Sequence, residues 1–74
     1  MSIEVGKSES ILTVTFPSGH QRKVYGFEVK RDGVIIGIVE HMSPRSSWEA
    51  ITVSGESFNF RTRKDAVKFI VEAA

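Results

Sequence analysis

Apolar and polar residues alternate along much of this chain, and that spacing is typical of β-strands with one exposed face. Leucine, valine and phenylalanine alternate with threonine over residues 11–16. A Pro-Ser-Gly turn at 17–19 leads into a second run at 21–25, so the pattern predicts a β-hairpin. Residues 1–10 are mostly polar, and we expect them to be a frayed segment or an edge strand.

A second hairpin is predicted at Asp32-Gly33, which lies between two runs rich in β-forming residues. This dipeptide favours a type I′ turn, because both central residues of that turn need a positive φ. The run that follows, 34–39, is almost continuously apolar and predicts the central strand of the sheet. Further predicted elements are a bend or bulge at Gly26, strands at 27–31, 48–53 and 58–60, a loop at 43–47 and a turn at 54–56.

A C-terminal helix is predicted to start near Thr62, whose hydroxyl can cap free backbone N–H groups. Asp65, three residues later, completes a pattern that resembles a capping box with Asp in place of Glu. Its apolar face comprises Ala66, Val67, Ile70 and Ala73, with Phe69 at the edge. The whole pattern predicts one α+β domain over residues 1–74. That domain is an antiparallel meander of about five or six strands with the helix packed on one face. We expect the opposite face to stay free for a partner.

Composition narrows the functional classes. The 74 residues include no cysteine, which excludes disulfides and thiolate metal sites. A domain this small buries only about 60% of its unfolded surface, so self-association as a homodimer is a hypothesis for added stability. No apolar run is long enough for a membrane span, and residues 1–5 lack the pattern of a signal peptide. We therefore expect a cytoplasmic protein.

Motifs for catalysis and for cofactors are weak. His20 and His41 have no third ligand or nucleophile placed beside them by any motif, and no glycine-rich phosphate loop leads into a helix. The serines at 46, 47 and 54 lack a recognisable base partner. We predict that the protein is not an enzyme and that it holds neither a metal nor a cofactor.

Cationic and aromatic residues are the candidates for binding. The net charge is only +1, so overall charge does not argue for nucleic acid. Local clusters of cationic residues do argue for nucleic-acid binding, because they resemble patches that contact phosphates. The alternative interpretations are a solvated helix face and lysines that protect a sheet edge from aggregation. Most phenylalanines are expected in the core, and two other aromatic residues are expected to be exposed for base stacking. The candidate nucleic-acid-binding residues are Arg22, Lys23, Lys30, Arg31, Arg61, Arg63, Lys64 and Lys68 as cations, with Tyr25 and Trp48 as stacking residues.

The Trp-Glu-Ala-Ile run at 48–51, followed by Phe-Arg-Thr-Arg-Lys-Asp-Ala-Val at 60–67, resembles the AP2-type DNA-binding domain and the sheet-type amino-terminal domains of some integrases. The resemblance covers residues 34–71, about half of the chain. It implies a three-stranded sheet that docks in the major groove of DNA. In that comparison Trp48 matches the tryptophan of the second strand, and Arg45, in the connecting loop, is a further candidate nucleic-acid-binding residue.

Two functional hypotheses follow. The first is a small nucleic-acid-binding module, such as an accessory protein of a phage or mobile element. The second is a protein-interaction module that docks on a larger complex or self-associates through a sheet edge. A single continuous positive face would favour the first, whereas mixed charge beside an apolar patch would favour the second.

Overall fold

The computed structural model describes residues 2–42 and 47–73, so Arg45 lies outside the described residues. Within them, all strands pair antiparallel in one sheet with the order β1-β3-β4-β5-β6, and β2 pairs with β3. The predicted α+β class is confirmed, and β4 is the central strand. The elements are β1 (Ile3–Val5), β2 (Ser10–Thr15), β3 (Gln21–Arg31), β4 (Val34–Met42), β5 (Ser47–Thr52), β6 (Ser57–Phe60) and α1 (Arg63–Ala73).

The predicted turns adopt the backbone conformations that their residues favour. Asp32 and Gly33 have φ values of 50° and 83°, which confirms the tight turn between β3 and β4. The Asp32 carboxylate also accepts a hydrogen bond from the Ser2 N–H at 2.8 Å, and the Asp32 N–H donates to the Ser2 carbonyl at 2.8 Å. These bonds hold β1 beside β3, so the start of the described chain forms an edge strand.

Helix α1 begins where the capping residue predicts and covers one face of the sheet. The Asp65 N–H donates to Thr62 Oγ1 at 3.1 Å, which satisfies one of the free N–H groups of the first turn. Ala66 and Ile70 are fully buried against β3, β4 and β5. Ala73, the last residue of the helix, is exposed instead of buried. No described helix is long and apolar enough to cross a membrane.

The face opposite the helix carries a second core. Val14 and Val24 of the β2–β3 hairpin pack with Ile38 and Ile51 of the central strands, and all four are at most 2% exposed. The prediction that this face is free for a partner is therefore wrong. The reason is that β3 runs through Gly26 as one long strand and carries the hairpin across the sheet.

Glycine makes this crossing possible at two points. A Cβ at Gly26 would overlap with the Val39 carbonyl oxygen, so only glycine allows β3 to cross β4 so closely. At the other end, a Cβ at Gly55 would lie 2.8 Å from Phe16 Cα. The tip of the β2–β3 hairpin thus rests against the turn between β5 and β6, and both faces of the sheet centre are covered.

Candidate functional site at the free sheet edge

Strand β6 is the last in the sheet order, so one of its edges has no neighbouring strand among the described residues. On the paired edge, the Thr52 N–H donates to the Glu56 carbonyl oxygen at 2.8 Å. The same register places Ala50 opposite Phe58. Because antiparallel pairs alternate between bonded and non-bonded types, every second residue from Glu56 onward bonds to β5, including Phe58 and Phe60.

The intervening residues Ser57 and Asn59 therefore direct their N–H and C=O groups away from β5. Within residues 2–42 and 47–73, no other strand pairs with them. An edge of this kind is a template for one more strand. Strand β1 offers an edge of only three residues, and the far end of β2 abuts the turn at Gly55. Strand β6 is thus one of the described edges that a strand from outside can reach, together with the remaining part of β2.

An aromatic cluster lies beside this edge on the helix side of the sheet. The Phe58 ring is 4.9 Å from the Phe69 ring in an edge-to-face arrangement, and Phe60 is 5.6 Å from Phe69. Phe58 is nevertheless 57% exposed, so it is an exception to the expectation that most phenylalanines lie in the core. The helix is centred over β4 and β5 and leaves the outer side of β6 uncovered. Strand alternation places Phe58 on the apolar face, but it does not show how much of that face the helix covers.

A groove of about 400 Å³ continues from this cluster along the helix. Its lining combines the rings of Phe60 and Phe69 with three charged helix residues, Asp65, Lys68 and Glu72. No ion pair joins these three side chains in the described structure. The rim therefore combines two carboxylates with one ammonium group, and its formal charge is negative.

The predicted cations on the first hairpin do not face the groove. Arg22 lies on the side of β3 that faces the second core, where its guanidinium pairs with Glu49 Oε1 at 3.3 Å. Lys23 and Tyr25 lie on the outer side of the hairpin and are exposed, with Tyr25 opposite the exposed Ile11. Adjacent residues of β3 thus point in opposite directions, as strand geometry requires.

The second cationic pair of β3 is partly used by the fold. Lys30 is half-buried beside Glu4 of β1. The Arg31 guanidinium donates to the Val71 carbonyl oxygen at 2.6 Å, at the end of helix α1. The last carbonyls of a helix lack intrahelical donors and carry partial negative charge, so this cation stabilises the helix end. The last turn of the helix contains no basic residue of its own.

The remaining candidates gather near the start of the helix. Arg61, Arg63 and Lys64 are exposed, and the Arg63 guanidinium lies 5.8 Å from the centre of the Phe27 ring. Lys68 is also exposed, but it lies at the groove. Together with Arg22 and Arg31, these residues point in several directions, so the described cations form no single positive face.

Trp48 contributes more to packing than the sequence indicates. Its ring is half-buried against the helix-side core, 6.1 Å from Phe27 and 4.7 Å from His41. His41 is exposed and covers part of the tryptophan. The expected exposed stacking surface at Trp48 is therefore only partly available.

The sequence analysis also missed a carboxylate pair on the face opposite the helix. Glu40 and Glu49 are direct cross-strand partners on β4 and β5. Burial raises the pKa of Glu40 above its usual value, and the neighbouring Glu49 raises it further, through its charge and through a hydrogen bond. Glu9 acts in the same direction, whereas Arg22 lowers the pKa of Glu40. Only the strand register brings these two side chains together.

Comparisons with protein-family models, with curated proteins and with solved structures give no significant match to this chain. The resemblance to AP2-type domains therefore stays a hypothesis. Among the described residues, no group of three or more histidine, aspartate or glutamate side chains is arranged to hold a metal ion.

Proposed function

We propose that this protein is a non-enzymatic protein-interaction module that binds an extended segment of a partner along the free edge of β6. The observation that carries the proposal is the coincidence of two features at one place. Ser57 and Asn59 offer outward backbone groups, and the 57% exposed Phe58 lies between them on the same strand. An added strand would use both features, since backbone bonds supply affinity and side-chain pockets supply specificity.

The energetics favour reversible, modest binding. Each backbone hydrogen bond formed by the added strand contributes about 0.5–1.5 kcal/mol net. Covering the exposed part of Phe58 adds roughly 1 kcal/mol, since complete burial of such a side chain is worth about 1.5–3 kcal/mol. These gains oppose the entropy lost when a flexible segment is ordered. A micromolar or weaker complex is therefore expected from this edge alone.

The test is a selection of displayed random peptides on the wild-type protein and on an edge-blocked variant, Asn59→Pro. Proline at this position removes an outward N–H but no bond to β5, so the fold should tolerate it as edge strands commonly do. Asn59→Thr is the matched control, because it changes the side chain and keeps the N–H. We expect peptides that bind the wild type and the threonine variant but lose binding to the proline variant. Equal binding to all three, or no enrichment at all, would count against the proposal.

A second candidate function is nucleic-acid binding, as in an accessory protein of a phage or mobile element. The observation that favours it is the exposed group Arg61, Arg63 and Lys64 at the start of the helix. Titration of labelled single-stranded and duplex oligonucleotides should then show an affinity that falls steeply between about 50 mM and about 200 mM salt. A double variant, Arg61→Gln with Lys64→Gln, should reduce this dependence. A lack of binding at low salt removes this candidate. A cytoplasmic location stays a prediction in both cases.

A further inference from the structure

We infer that the segment bound at β6 is a basic strand of another protein, with an apolar side chain in the groove and lysine or arginine side chains against Asp65 and Glu72. The inference rests on the proposed function, and it adds the chemistry of the partner. It commits to a heterologous partner and against a second copy of this chain.

The geometry defines what the partner presents. A strand added outside β6 lies about 4.8 Å away, and its alternate side chains point to the helix side of the sheet. Those side chains extend over the groove beside Phe60 and Phe69. A groove of about 400 Å³ accommodates one branched aliphatic or aromatic side chain with room for its neighbours. The partner therefore places an apolar residue there.

The charge of the groove distinguishes a basic strand of another protein from a second copy of this chain. The groove side carries the carboxylates of Asp65 and Glu72 against the single ammonium of Lys68. Residues two positions before and after the apolar residue of the partner reach the same side of the sheet, so basic side chains there meet these carboxylates. A second copy paired through β6 would instead bring together two rims that each carry two carboxylates and one ammonium group, a formal charge of −1 on each. Like charges at such a contact weaken association and suppress the wrong partner.

Two synthetic peptides test the partner chemistry directly. The basic peptide is Thr-Lys-Thr-Val-Thr-Lys-Thr, and the acidic peptide replaces both lysines by glutamate. Each is titrated into isotope-labelled protein while the amide resonances of Ser57 and Asn59 are followed, because these amides report occupation of the edge. We expect the basic peptide to bind about two- to fivefold more tightly than its acidic counterpart, which is the range for partly exposed ion pairs.

A charge reversal on the protein separates local recognition from overall charge. Glu72→Lys is suitable because a cation near the end of a helix favours its dipole, so the variant should fold. Glu9→Lys is the control, since it makes the same change in net charge at an exposed position before β2. The preference for the basic peptide should disappear or reverse in the Glu72 variant and persist in the Glu9 variant.

The outcomes separate the inference from the proposed function. Equal shifts of the Ser57 and Asn59 amides by both peptides, or an unchanged preference in the Glu72 variant, overturn the basic partner but leave edge binding intact. If neither peptide shifts the Ser57 and Asn59 amide resonances, the inference is overturned as well. In that case, displayed peptides that bind the wild type but not Asn59→Pro would still support edge binding. If no such peptides are found, both the inference and the proposed function are overturned. Shifts of these amides with protein concentration alone identify a second copy at the edge and overturn the heterologous partner.

Discussion

Helix α1 approaches the central strand closely at Gly37, where a side chain would have no room. A Cβ built on Gly37 would lie 2.7 Å from Ile70 Cγ2 and 2.8 Å from the Ile51 carbonyl oxygen. Neither neighbour can yield easily, because Ile70 is β-branched and stiff within a helix and the other atom belongs to the backbone. Gly37→Ala should therefore push helix α1 away from the sheet.

The magnitude follows from these distances. Ordinary contact begins near 3.4 Å, so the Ile70 methyl must move by about 0.7 Å, which is the difference between 3.4 and 2.7 Å. Inserting a methyl group into a packed core costs about 1–3 kcal/mol. The gain from a less flexible unfolded chain, about 0.4–1 kcal/mol, does not offset this cost. A domain of this size commonly has roughly 3–5 kcal/mol of stability, so the loss should be large in proportion.

Urea unfolding followed by the fluorescence of the single tryptophan, Trp48, measures the change. Gly6→Ala is the matched control, because its Cβ would meet its nearest neighbour at 3.4 Å without a positive φ, and it should be neutral or slightly stabilising. Measured against Ile70→Ala alone, Gly37→Ala in the double variant should cost less than it does in the wild type, because the Ile70 contact is gone and only the contact with the Ile51 carbonyl oxygen remains. Equal stability of the Gly37 and Gly6 variants, or strictly additive losses in the double variant, would show that Ile70 does not restrict the residue at position 37.

Three further predictions concern single contacts. Glu40→Gln should raise the free energy of unfolding at neutral pH by roughly 0.2–1 kcal/mol, because it removes like charges opposite Glu49. Since the folded pKa of Glu40 is raised, its stabilising contribution is complete below the usual value near 4.5 and is lost as the pH rises through the raised pKa. The free energy of unfolding should therefore vary less with pH in this range for Glu40→Gln than for the wild type. An identical pH dependence would contradict a raised pKa at Glu40. Arg31→Met should lower stability by about 1–2 kcal/mol through loss of the bond to Val71, with reduced protection of the last helical turn in hydrogen exchange; unaltered protection would exclude this role. Thr62→Ala should cost about 0.5–2 kcal/mol in thermal unfolding while Thr62→Ser remains close to wild type, and equal losses in both would argue against capping.

Much of the local structure follows from neighbouring residues. Asp32-Gly33 dictates a tight turn because few residues accept positive φ, and Thr62 starts a helix because its hydroxyl satisfies a free N–H three residues later. Alternation along β2 likewise assigns one side of the strand to the core. Each of these features depends on contacts within a few positions of the chain, so the sequence pattern is enough to predict them.

The candidate site could be predicted only in part. Alternation places Phe58 with Phe60 on the apolar side of β6, and the predicted strand order makes β6 an edge. The exposure of Phe58 depends on where helix α1 lies, and the rim depends on how Asp65 and Glu72 turn toward β6. The assignment of Arg31 to a phosphate patch overlooked its bond at the helix end for the same reason, because its partner is 40 positions away.

Short-range spacing and turn chemistry were enough to predict the α+β class, the turn at 32–33, the capped helix and most of the strands, although residues 21–31 form one strand where two strands separated at Gly26 were expected. Tertiary packing, by contrast, places the β2–β3 hairpin across the face opposite the helix and turns the cations in different directions. It also leaves one edge of β6 without a neighbouring strand among the described residues, beside the groove. Those outcomes depend on strand register and on the close crossing at Gly26, which join residues that are distant in the chain.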